Sequence, residues 1–536
     1  MVTASAATAF LASGCSLQQW VDNGFKVGPN YSRPPAPVAS AWIDYQDPRV
    51  KSEERDLSEW WRVFNDPTLD SLIETAYQQN LTLRVAGSRI LEAQAVRGIA
   101  VGSLFPQVQQ AFGDATRNKI SSQVANPASN QWFSQWDGGF TASWELDVWG
   151  RFRRAIEAAD AELDASIENY DDVLVILLSD IASNYVQYRT FQERLTYART
   201  NVEIQTRAFQ LAQDKFQAGA TTERDVHQAR QVLEQTRATI PALETGLRQA
   251  NNALCVLLGM PPENLSRLLG ATGSVPATPT DVGVGVPADL IRRRPDIRRA
   301  ERLVAAQSAR IGIAEADLYP HFSLLGTIGV SAEQFGDLFK TPGSMVGTIG
   351  PSFRWDILNY GRLLNAVRLQ DARFQQLAFA YQDSVLQAGR EAENAIYGFL
   401  KAQEQTTYQQ ASADAALRTL EITREQYRLG AVDFTPVFLF ESTLAQQQDQ
   451  LAVARGNIAQ NLIAIYRSLG GGWDMRLKRA GGGGNGSGNC AATITVQGPQ
   501  LPAAQAIVAA PVSPVSTTTA TISWEQTTAA PARPKQ

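Results

Sequence analysis

One segment of the chain occurs twice, first as Trp144-Glu145-Leu146-Asp147-Val148-Trp149-Gly150-Arg151 and again as Trp355-Asp356-Ile357-Leu358-Asn359-Tyr360-Gly361-Arg362. The final arginines of the two copies are 211 positions apart, since 362 − 151 = 211. Further along, Gly219 and Gly430 are separated by the same 211 positions. A constant offset indicates a duplicated unit of constant length, and such a repeat governs how the remaining sequence is interpreted.

Apolar side chains follow the first copy at heptad spacing, without a proline between Arg151 and Gly219. At 1.5 Å per residue, a helix of this length would be a rod of roughly 100 Å. Gly219 and Gly430 favour a left-handed turn that ends a helix, and Thr221 or Thr222 can cap the next one. We therefore expect a long antiparallel helical hairpin in each copy, although helices alone leave an ordinary bundle or a filamentous spacer open.

The period changes from helical to two-residue alternation ahead of each hairpin. Apolar Phe140, Ala142 and Trp144 alternate there with polar Thr141 and Ser143, which is typical of a strand with one apolar face. Strands of about ten residues with this pattern fit a transmembrane β-barrel, and a periplasmic sandwich sheet is the alternative. We predict four strands, joined in pairs by loops at 118–135 and 332–344: 105–117, 136–148, 320–331 and 345–358.

Four strands cannot close a barrel, because single-chain bacterial barrels begin at eight strands and lipid does not tolerate open sheet edges. If these strands cross a membrane, several copies of the chain must therefore contribute to one barrel. A helix that follows Asp66-Pro67 and runs to about Leu104 is expected before the first strand. The basic run 291–299, which leads to the third strand, is predicted to be a solvated helix start.

The 536 residues carry a net charge of −5, and the mean hydropathy of −0.20 is that of an ordinary soluble protein. A net charge of −5 does not indicate a protein that binds nucleic acid. Ala12-Ser13-Gly14-Cys15 resembles a lipoprotein cleavage site, which would leave Cys15 as a lipidated first residue, or Cys15 is an incidental residue in a disordered terminus. Cys255 lies on an apolar helix face and is expected in the core.

The sequence contains no constellation that indicates catalysis. There are two histidines, His227 and His321, and no Cys/His spacing typical of a metal site, no P-loop and no nucleophile elbow. We therefore expect neither an enzyme nor a bound cofactor or metal. The segments expected along the chain are a signal peptide (1–14), a lipidated extended segment (15–65), a first repeat (66–260), a connector (261–290), a second repeat (291–473) and a disordered low-complexity tail (474–536).

Several short motifs accompany the duplication, and together they resemble the TolC family. The match is closest to its lipoprotein branch, the OprM-like or NodT-like outer-membrane factors, and covers roughly Cys15 to Trp473. The combination is specific, although no single motif is. The motifs are Tyr31-x-Arg33-Pro34, Trp60-Trp61 with Asp66-Pro67, Arg293-Arg294-Pro295-Asp296-Ile297 and the duplicated strand–hairpin unit.

The resemblance implies an α+β membrane protein that forms a homotrimer. Four strands per chain would give a 12-stranded transmembrane β-barrel (3 × 4 = 12), continued by a long periplasmic α-helical coiled-coil barrel. It also implies the exit duct of a tripartite efflux pump, lipid-anchored in the outer membrane and extending into the periplasm. Its partners would be a periplasmic adaptor (membrane fusion) protein and an inner-membrane pump, most often of the resistance-nodulation-division type. The cargo would be small molecules such as drugs.

The resemblance also assigns roles to particular residues. Gly219 and Gly430 would mark the hairpin tips that touch the adaptor, and Trp144 and Trp355 would anchor the barrel at the membrane interface. Both tryptophans could instead simply fill an outward apolar face. The closed tip in this family is held by polar and acidic side chains, and Asp225 lies where one is expected.

The second repeat departs from the family's pattern at the tip. Pro436 stands at the position that corresponds to Asp225, and Val432 replaces an arginine used by some relatives, so the closing network must differ here. Candidates for an acidic gating ring are Glu223, Asp433 and Glu441, although solvated surface charge is the favoured interpretation of each.

Three alternatives remain at this point. The same duct could serve type I protein secretion with an ABC-type partner, although the lipoprotein start and Trp60-Trp61 favour efflux. A non-conducting periplasmic coiled-coil spacer is opposed by the strand patterns. A periplasmic enzyme has no residues that support it.

Overall fold

The computed structural model describes residues 18, 20–53, 56–121, 123, 131–270 and 273–481. Its elements follow the duplication. A short strand β1 (Val50–Lys51) and a 3-10 turn (Trp60–Phe64) precede the first repeat, which consists of α1 (Pro67–Gln79), α2 (Leu81–Gly102), β2 (Val108–Lys119), β3 (Trp132–Leu146), α3 (Arg151–Gln217) and α4 (Glu223–Leu257). The connector holds α5 (Ser266–Leu269), β4 (Val282–Gly283) and α6 (Asp289–Arg293). The second repeat consists of α7 (Pro295–Ala316), β5 (His321–Ala332), a 3-10 turn (Phe335–Phe339), β6 (Met345–Arg354), α8 (Arg362–Arg428) and α9 (Phe434–Ser468), and α10 (Met475–Gly481) follows it.

The two repeats contain helices of equal length. Helices α3 and α8 have 67 residues each, α4 and α9 have 35 each, and α2 and α7 have 22 each. Gly219 and Gly430 lie between the arms of the hairpins with φ angles of 71° and 77°, which a side chain would strain. The two predicted helical hairpins are therefore present, and each turns at its glycine.

The four long strands form one antiparallel sheet in the order β2-β3-β5-β6. The register places Phe140 opposite Ala111 on one side and Ile328 on the other. Strands β2 and β6 are the edges of this sheet and have no partner strand among the described residues.

The strand limits differ from the prediction mainly at three ends. Strand β3 begins at Trp132 instead of 136, because its ladder with β2 continues as far as the pair of Lys119 and Trp132. Strand β2 begins at Val108 instead of 105 because Pro106 has no amide hydrogen for the ladder. Strand β6 ends at Arg354 instead of 358, since the indole of Trp355 turns back and donates to the carbonyl oxygen of Leu318 at 3.0 Å.

The single helix predicted from Pro67 to about Leu104 is wrong, because the chain breaks at Asn80 into α1 and α2. Asn80 has extended backbone angles, and its side chain accepts from the amide of Leu83 at 2.9 Å. Its amide group also donates to the carbonyl oxygen of Leu257 at 2.8 Å. Asn80 therefore caps α2 and at the same time ties it to the end of α4.

The largest core cluster lies where the two repeats meet the connector, and it includes Trp60, Tyr185, Phe399 and Tyr466. Strands β1 and β4 pair in parallel beside it. The buried Cys255 belongs to this core, as the sequence indicates.

The prediction of disorder from residue 474 is wrong for the first residues of the tail, because they form α10, which is packed against this region. Met475 is buried, and the guanidinium of Arg476 donates twice to the buried carboxylate of Asp171, once at 2.7 Å. Lys478 pairs with Asp56. The rest of the predicted tail, 482–536, the predicted signal peptide 1–14 and Cys15 lie outside the described residues.

An extended N-terminal segment contacts both repeats and the connector. Tyr31 and Arg33 both donate to the buried carboxylate of Glu301 on α7, and the indole of Trp42 donates to the carbonyl oxygen of Gly285 at 2.9 Å. Among the helices that the structure describes, none has both the length and the apolar character to cross a membrane.

Candidate functional site: the hairpin ends and the four-stranded sheet

The ends of the two hairpins share one apolar cluster. All four long helices contribute to it, so the hairpins form one packed tip instead of two separate ones. The buried members are Ala212 from α3, Ala229 from α4, Ala416, Leu420 and Tyr427 from α8, and Phe434, Val437 and Leu444 from α9.

Asp225 is the most enclosed acidic side chain of the first hairpin end, with 2% of its surface exposed. Its carboxylate accepts from the hydroxyls of Thr221 and Thr222, the latter at 3.2 Å. These threonines therefore hold the carboxylate and make no side-chain capping bond to the backbone of α4, contrary to the sequence prediction. Asp225 is therefore an enclosed, hydrogen-bonded carboxylate at the start of α4.

Two cations cross from the first hairpin to the second. Arg224 lies 3.5 Å from the Asp225 carboxylate and 3.3 Å from that of Asp433, the residue that precedes α9. Lys215 donates to the carbonyl oxygen of Tyr427, and its ammonium lies 4.0 Å from the centre of the Tyr427 ring. Both contacts can hold the hairpin ends together, and both can be broken without unfolding a helix.

The remaining two acidic candidates have opposite environments. Glu223 is exposed and lies 3.5 Å from His227 one turn along α4, so it is a solvated charge. Glu441 is buried, and its carboxylate accepts from the Arg424 guanidinium at 2.6 Å. Burial raises the pKa of Glu441 above its ordinary value, and the Arg424 charge opposes that increase only in part. The sequence prediction of solvated charge is therefore wrong for Glu441.

The sheet has one apolar and one mostly polar face, defined by the alternation along its strands. The apolar face carries Phe140, Trp144, Ile328, Ile349 and Phe353, all of them exposed in the single chain. The polar face carries, among others, Asp114, Thr116, Gln135, Asp137, Thr141, Ser143 and Glu145. Such a sheet can separate lipid from water.

Trp144 and Trp355 occupy equivalent places at the helix end of the sheet. The Trp144 indole donates to the carbonyl oxygen of Leu104 at 3.1 Å, and the Trp355 indole makes the matching bond to Leu318 at 3.0 Å. Each ring is still exposed. An apolar ring with a satisfied N–H group suits a membrane interface.

Helix α8 carries an exposed apolar stripe along its length. Phe379, Leu386, Tyr397 and Tyr408 follow one another at steps of 7, 11 and 11 residues, which keeps them on one side of a helix. In the first repeat, α3 packs between α2 and α7, whereas α8 packs against α7 and leaves this stripe exposed. A second exposed stripe lies on α2: Leu81, Val85, Val96 and Ile99.

The basic run 291–299 leads into the start of helix α7, as predicted, and Arg292 and Arg299 are exposed, but Arg294 is not solvated. The Arg294 guanidinium contacts Asp296 at 2.7 Å, Glu391 at 2.8 Å and the carbonyl oxygen of Ser468 at 3.1 Å. It thereby joins α7, α8 and α9 at the level of the core. Periodicity gave no signal for these partners, since they are distant in sequence.

A buried acidic group lies next to this region. Glu168 on α3 is 7% exposed and pairs with Arg298. Burial raises the pKa of Glu168 to about 7, with Arg298 opposing and Asp171 adding to the increase. Within the described part of the chain, no group of three or more His, Cys, Asp or Glu side chains is arranged to hold a metal ion.

Comparison with known proteins accounts for this architecture. The model of the family described as outer membrane efflux protein matches residues 72–260 and again 286–471, which together are most of the chain. The chain belongs to the outer membrane efflux protein family. It is therefore an efflux channel of the bacterial outer membrane, which confirms the expected family and function.

Individual relatives agree with this assignment. The chain is 31% identical to the pyoverdine export outer membrane protein OpmQ of Pseudomonas putida, over 82% of this chain and 94% of the relative. It is also 31% identical to nodulation protein T of Rhizobium leguminosarum bv. trifolii, over 85% of this chain and 96% of the relative. The solved outer-membrane channel OprN is 33% identical, with a TM-score of 0.78 over 83% of this chain and 99% of that channel.

Proposed function

We propose that three copies of this chain form the exit duct of a tripartite efflux pump. The observation that carries the proposal is the sheet of four strands with an apolar face and two edges, β2 and β6, that have no partner strand in the described part of the chain. Edges of this kind are not tolerated in lipid, so β6 of one copy would pair with β2 of the next until the barrel closes.

The exposed stripes on the helices support the same closure. In the first repeat, α3 is covered by α2 on one side and by α7 on the other. Of these two helices only α7 covers α8, and α8 would be covered on both sides only if α2 of a neighbouring copy packed against it. The stripe that begins at Phe379 would then meet the stripe that begins at Leu81, and both apolar surfaces would leave water. Sheet and helices thus require a neighbour on the same side of the chain.

The proposed cargo is a small molecule delivered by an inner-membrane pump, most often of the resistance-nodulation-division type, through a periplasmic adaptor. The relative OpmQ is named for the export of pyoverdine, which supports a small-molecule cargo. The adaptor would contact the hairpin tips at Gly219 and Gly430, where added side chains would meet open space. No step in this transport calls for a catalytic residue of this chain.

The gate proposed here is the contact between the two hairpin ends. Asp225 fixes the start of α4, Arg224 joins it to Asp433, and Lys215 joins α3 to Tyr427. The Glu441 carboxylate, paired with Arg424, fixes the second hairpin, while the exposed Glu223 remains available to an adaptor. Docking would replace the cross-hairpin contacts and let the tip open.

Two attachments to the membrane complete the proposal. Lipidation of Cys15 would hold the chain at the outer membrane, and Trp144 and Trp355 would lie at its inner interface. Trp144 and Trp355 mark one level of the sheet in both repeats, which supports this placement.

The first test is the mass of the detergent-solubilised chain by light scattering, corrected for detergent. Three copies predict about 175 kDa, since 3 × 58.5 = 175.5 kDa. The double variant Phe379→Asp/Tyr408→Asp should shift the mass towards one copy, because it places charge in the stripe on α8. Val256→Asp changes an equally exposed apolar residue outside the stripe and should leave three copies intact. A wild-type monomer or dimer would refute the trimer.

A further inference from the structure

At the loop end of the sheet, far from the helices, the apolar face changes its chemistry. Basic and aromatic side chains replace the aliphatic ones there, at the end of β2 and at the start of β3. We call this group the rim cluster, and it consists of Arg117, Lys119, Trp132, Trp136, Phe335 and Phe339.

The register places the strand members of the rim cluster on the same face as Phe140. Lys119 lies opposite Trp132, and Arg117 lies opposite Ser134, without a bulge between them and Phe140. The Lys119 ammonium is 5.3 Å from the centre of the Trp132 ring, and the Arg117 guanidinium donates to the hydroxyl of Ser134 at 2.8 Å. Both cations therefore project from the apolar face.

The loop between β5 and β6 adds two aromatic rings to this surface. Phe335 packs edge-on against Trp136 with 5.1 Å between ring centres, and Phe339 packs against Phe335 at 5.7 Å. Both phenylalanines remain exposed, by 56% and 73%. Because Trp136 is on the apolar face, these rings lie over that face and not over the polar one.

The two cations lie in a stretch of the sequence without acidic residues. From 115 to 136 the sequence contains Arg117 and Lys119 but no aspartate or glutamate. Asp114 and Asp137, which bound this stretch, lie opposite each other on the polar face. Among the described residues neither Arg117 nor Lys119 forms an ion pair, whereas Lys340 in the nearby loop pairs with Asp337. The rim cluster thus has uncompensated positive charge on the apolar side only.

The position of the cluster along the strand matches a membrane surface. Trp132 and Trp144 are 12 residues apart on β3, since 144 − 132 = 12. At a rise of about 3.4 Å and a tilt of about 40°, this corresponds to roughly 30 Å across the membrane. If Trp144 lies at the inner interface, Trp132 and its basic neighbours lie at the level of the outer headgroups.

We propose that the rim cluster binds the phosphorylated headgroup of a glycolipid in the outer leaflet. Arg117 and Lys119 pair with its phosphates, while Trp132, Phe335 and Phe339 occupy the boundary between headgroup and acyl chains. The inference rests on the proposed function, because it requires that the sheet crosses the membrane with its loops outward. A trimer would carry three such sites, one for each copy.

The test measures lipid binding to the purified full-length protein in detergent by native mass spectrometry and by lipid-induced thermal stabilisation. The probes are a diphosphorylated diglucosamine lipid, the same lipid after removal of its phosphates, phosphatidylglycerol, and inorganic phosphate. Arg117→Gln/Lys119→Gln is compared with wild type and with Arg354→Gln/Arg373→Gln. The latter pair removes equal charge from exposed positions on the polar face of β6 and on α8. Arg117→Lys keeps the charge but alters the bond to Ser134.

We expect the diphosphorylated lipid to stabilise wild type, the control pair and Arg117→Lys alike. The rim variant should bind it about 25-fold more weakly, at about fivefold for each of the two charges lost near an anionic headgroup. Equal binding by the rim variant would overturn the proposal, and so would equal binding of wild type to the dephosphorylated lipid, to phosphatidylglycerol or to inorganic phosphate. Association of trimers with one another through the rim cluster in the absence of lipid would also overturn it.

Oligomeric mass and bilayer conductance of the same samples separate this inference from the proposed function. A conducting trimer whose rim variant still binds the lipid refutes the rim site alone. A wild-type protein that neither trimerises nor conducts refutes the proposed function and the rim site with it.

Discussion

At the scale of single residues, burial divides the four acidic candidates of the hairpin ends into two pairs. Asp225 and Glu441 are enclosed and hydrogen-bonded, whereas Glu223 and Asp433 are exposed. The sequence places all four near a helix start or on a helix face, and periodicity alone does not tell which face a second hairpin covers. Thr222, the partner of Asp225, is three residues away and could have been anticipated from the sequence. Arg424, the partner of Glu441, lies on the other arm of the hairpin and could not.

Asp225 tests the gate directly. Replacement of Asp225 by alanine removes the acceptor for two threonine hydroxyls and one anchor of Arg224, so the closed tip should loosen. We expect the mean conductance in planar bilayers to rise at least about twofold. Glu223→Ala removes the same charge from an exposed neighbour and should leave conductance near the wild-type value. Unchanged conductance in the Asp225 variant would remove this residue from the gate.

Glu168 should make stability depend on pH. Its pKa of about 7 in the folded chain lies above the ordinary 4.5, so the folded state holds this proton more tightly than the unfolded state. Its contribution to stability is therefore complete below pH 4.5 and is lost as the pH rises through about 7. Wild type should lose on the order of 1–2 kcal/mol more than Glu168→Gln between pH 5 and pH 8.

Thermal unfolding of wild type and Glu168→Gln across that pH range measures the difference. Glu234→Gln on the exposed side of α4 serves as the control and should follow wild type. Parallel pH profiles for wild type and Glu168→Gln would contradict the prediction.

At the scale of elements, the sequence predicted the long helices and their hairpin turns well, because heptads and two glycines are strong local signals. It missed the break at Asn80, since the leucines on both sides continue one helical pattern across it. It also missed α10, whose seven residues precede a glycine-rich stretch and whose partners Asp171 and Asp56 are hundreds of positions away. Tertiary contacts decide such elements, and no local period reports them.

Helix α10 should stabilise the core through one ion pair. Arg476→Ala leaves the carboxylate of Asp171 buried without its cation, and we expect a loss of about 3–5 kcal/mol in the free energy of unfolding. Denaturant unfolding measures it. Arg418→Ala breaks an exposed ion pair with Glu421 and should cost less than about 1 kcal/mol. A loss for Arg476→Ala as small as that of the control would show that α10 contributes little.

At the scale of the whole molecule, the sequence predicts several copies if its strands cross a membrane, because four amphipathic strands cannot close a barrel. It could not indicate where the copies meet along the helices. The exposed stripe on α8 is visible only after α7 is seen to cover the other side of that helix. The uncovered apolar surface of α8 therefore follows from how the helices pack, and no short sequence motif indicates it.

The polar face of the sheet should make the duct prefer cations. Asp114 and Asp137 lie directly opposite each other, so a trimer would bring six carboxylates to one level near the outer mouth, since 3 × 2 = 6. Asp114→Asn/Asp137→Asn should at least halve the ratio of cation to anion permeability, measured from the reversal potential in a salt gradient. Asp356→Asn, outside the strands, is the control. An unchanged ratio would contradict the prediction.

The equal helix lengths of the two repeats restrict how such a molecule can change its reach. One residue inserted into α3 alone would advance all later side chains by about 1.5 Å and rotate them by about 100°, which would carry Lys215 away from Tyr427. A seven-residue insertion rotates them by only about 20°, yet it moves one hairpin end roughly 10 Å past the other. The length of the duct can therefore change only in steps that keep the helix faces aligned, such as seven or eleven residues, and both repeats must change together.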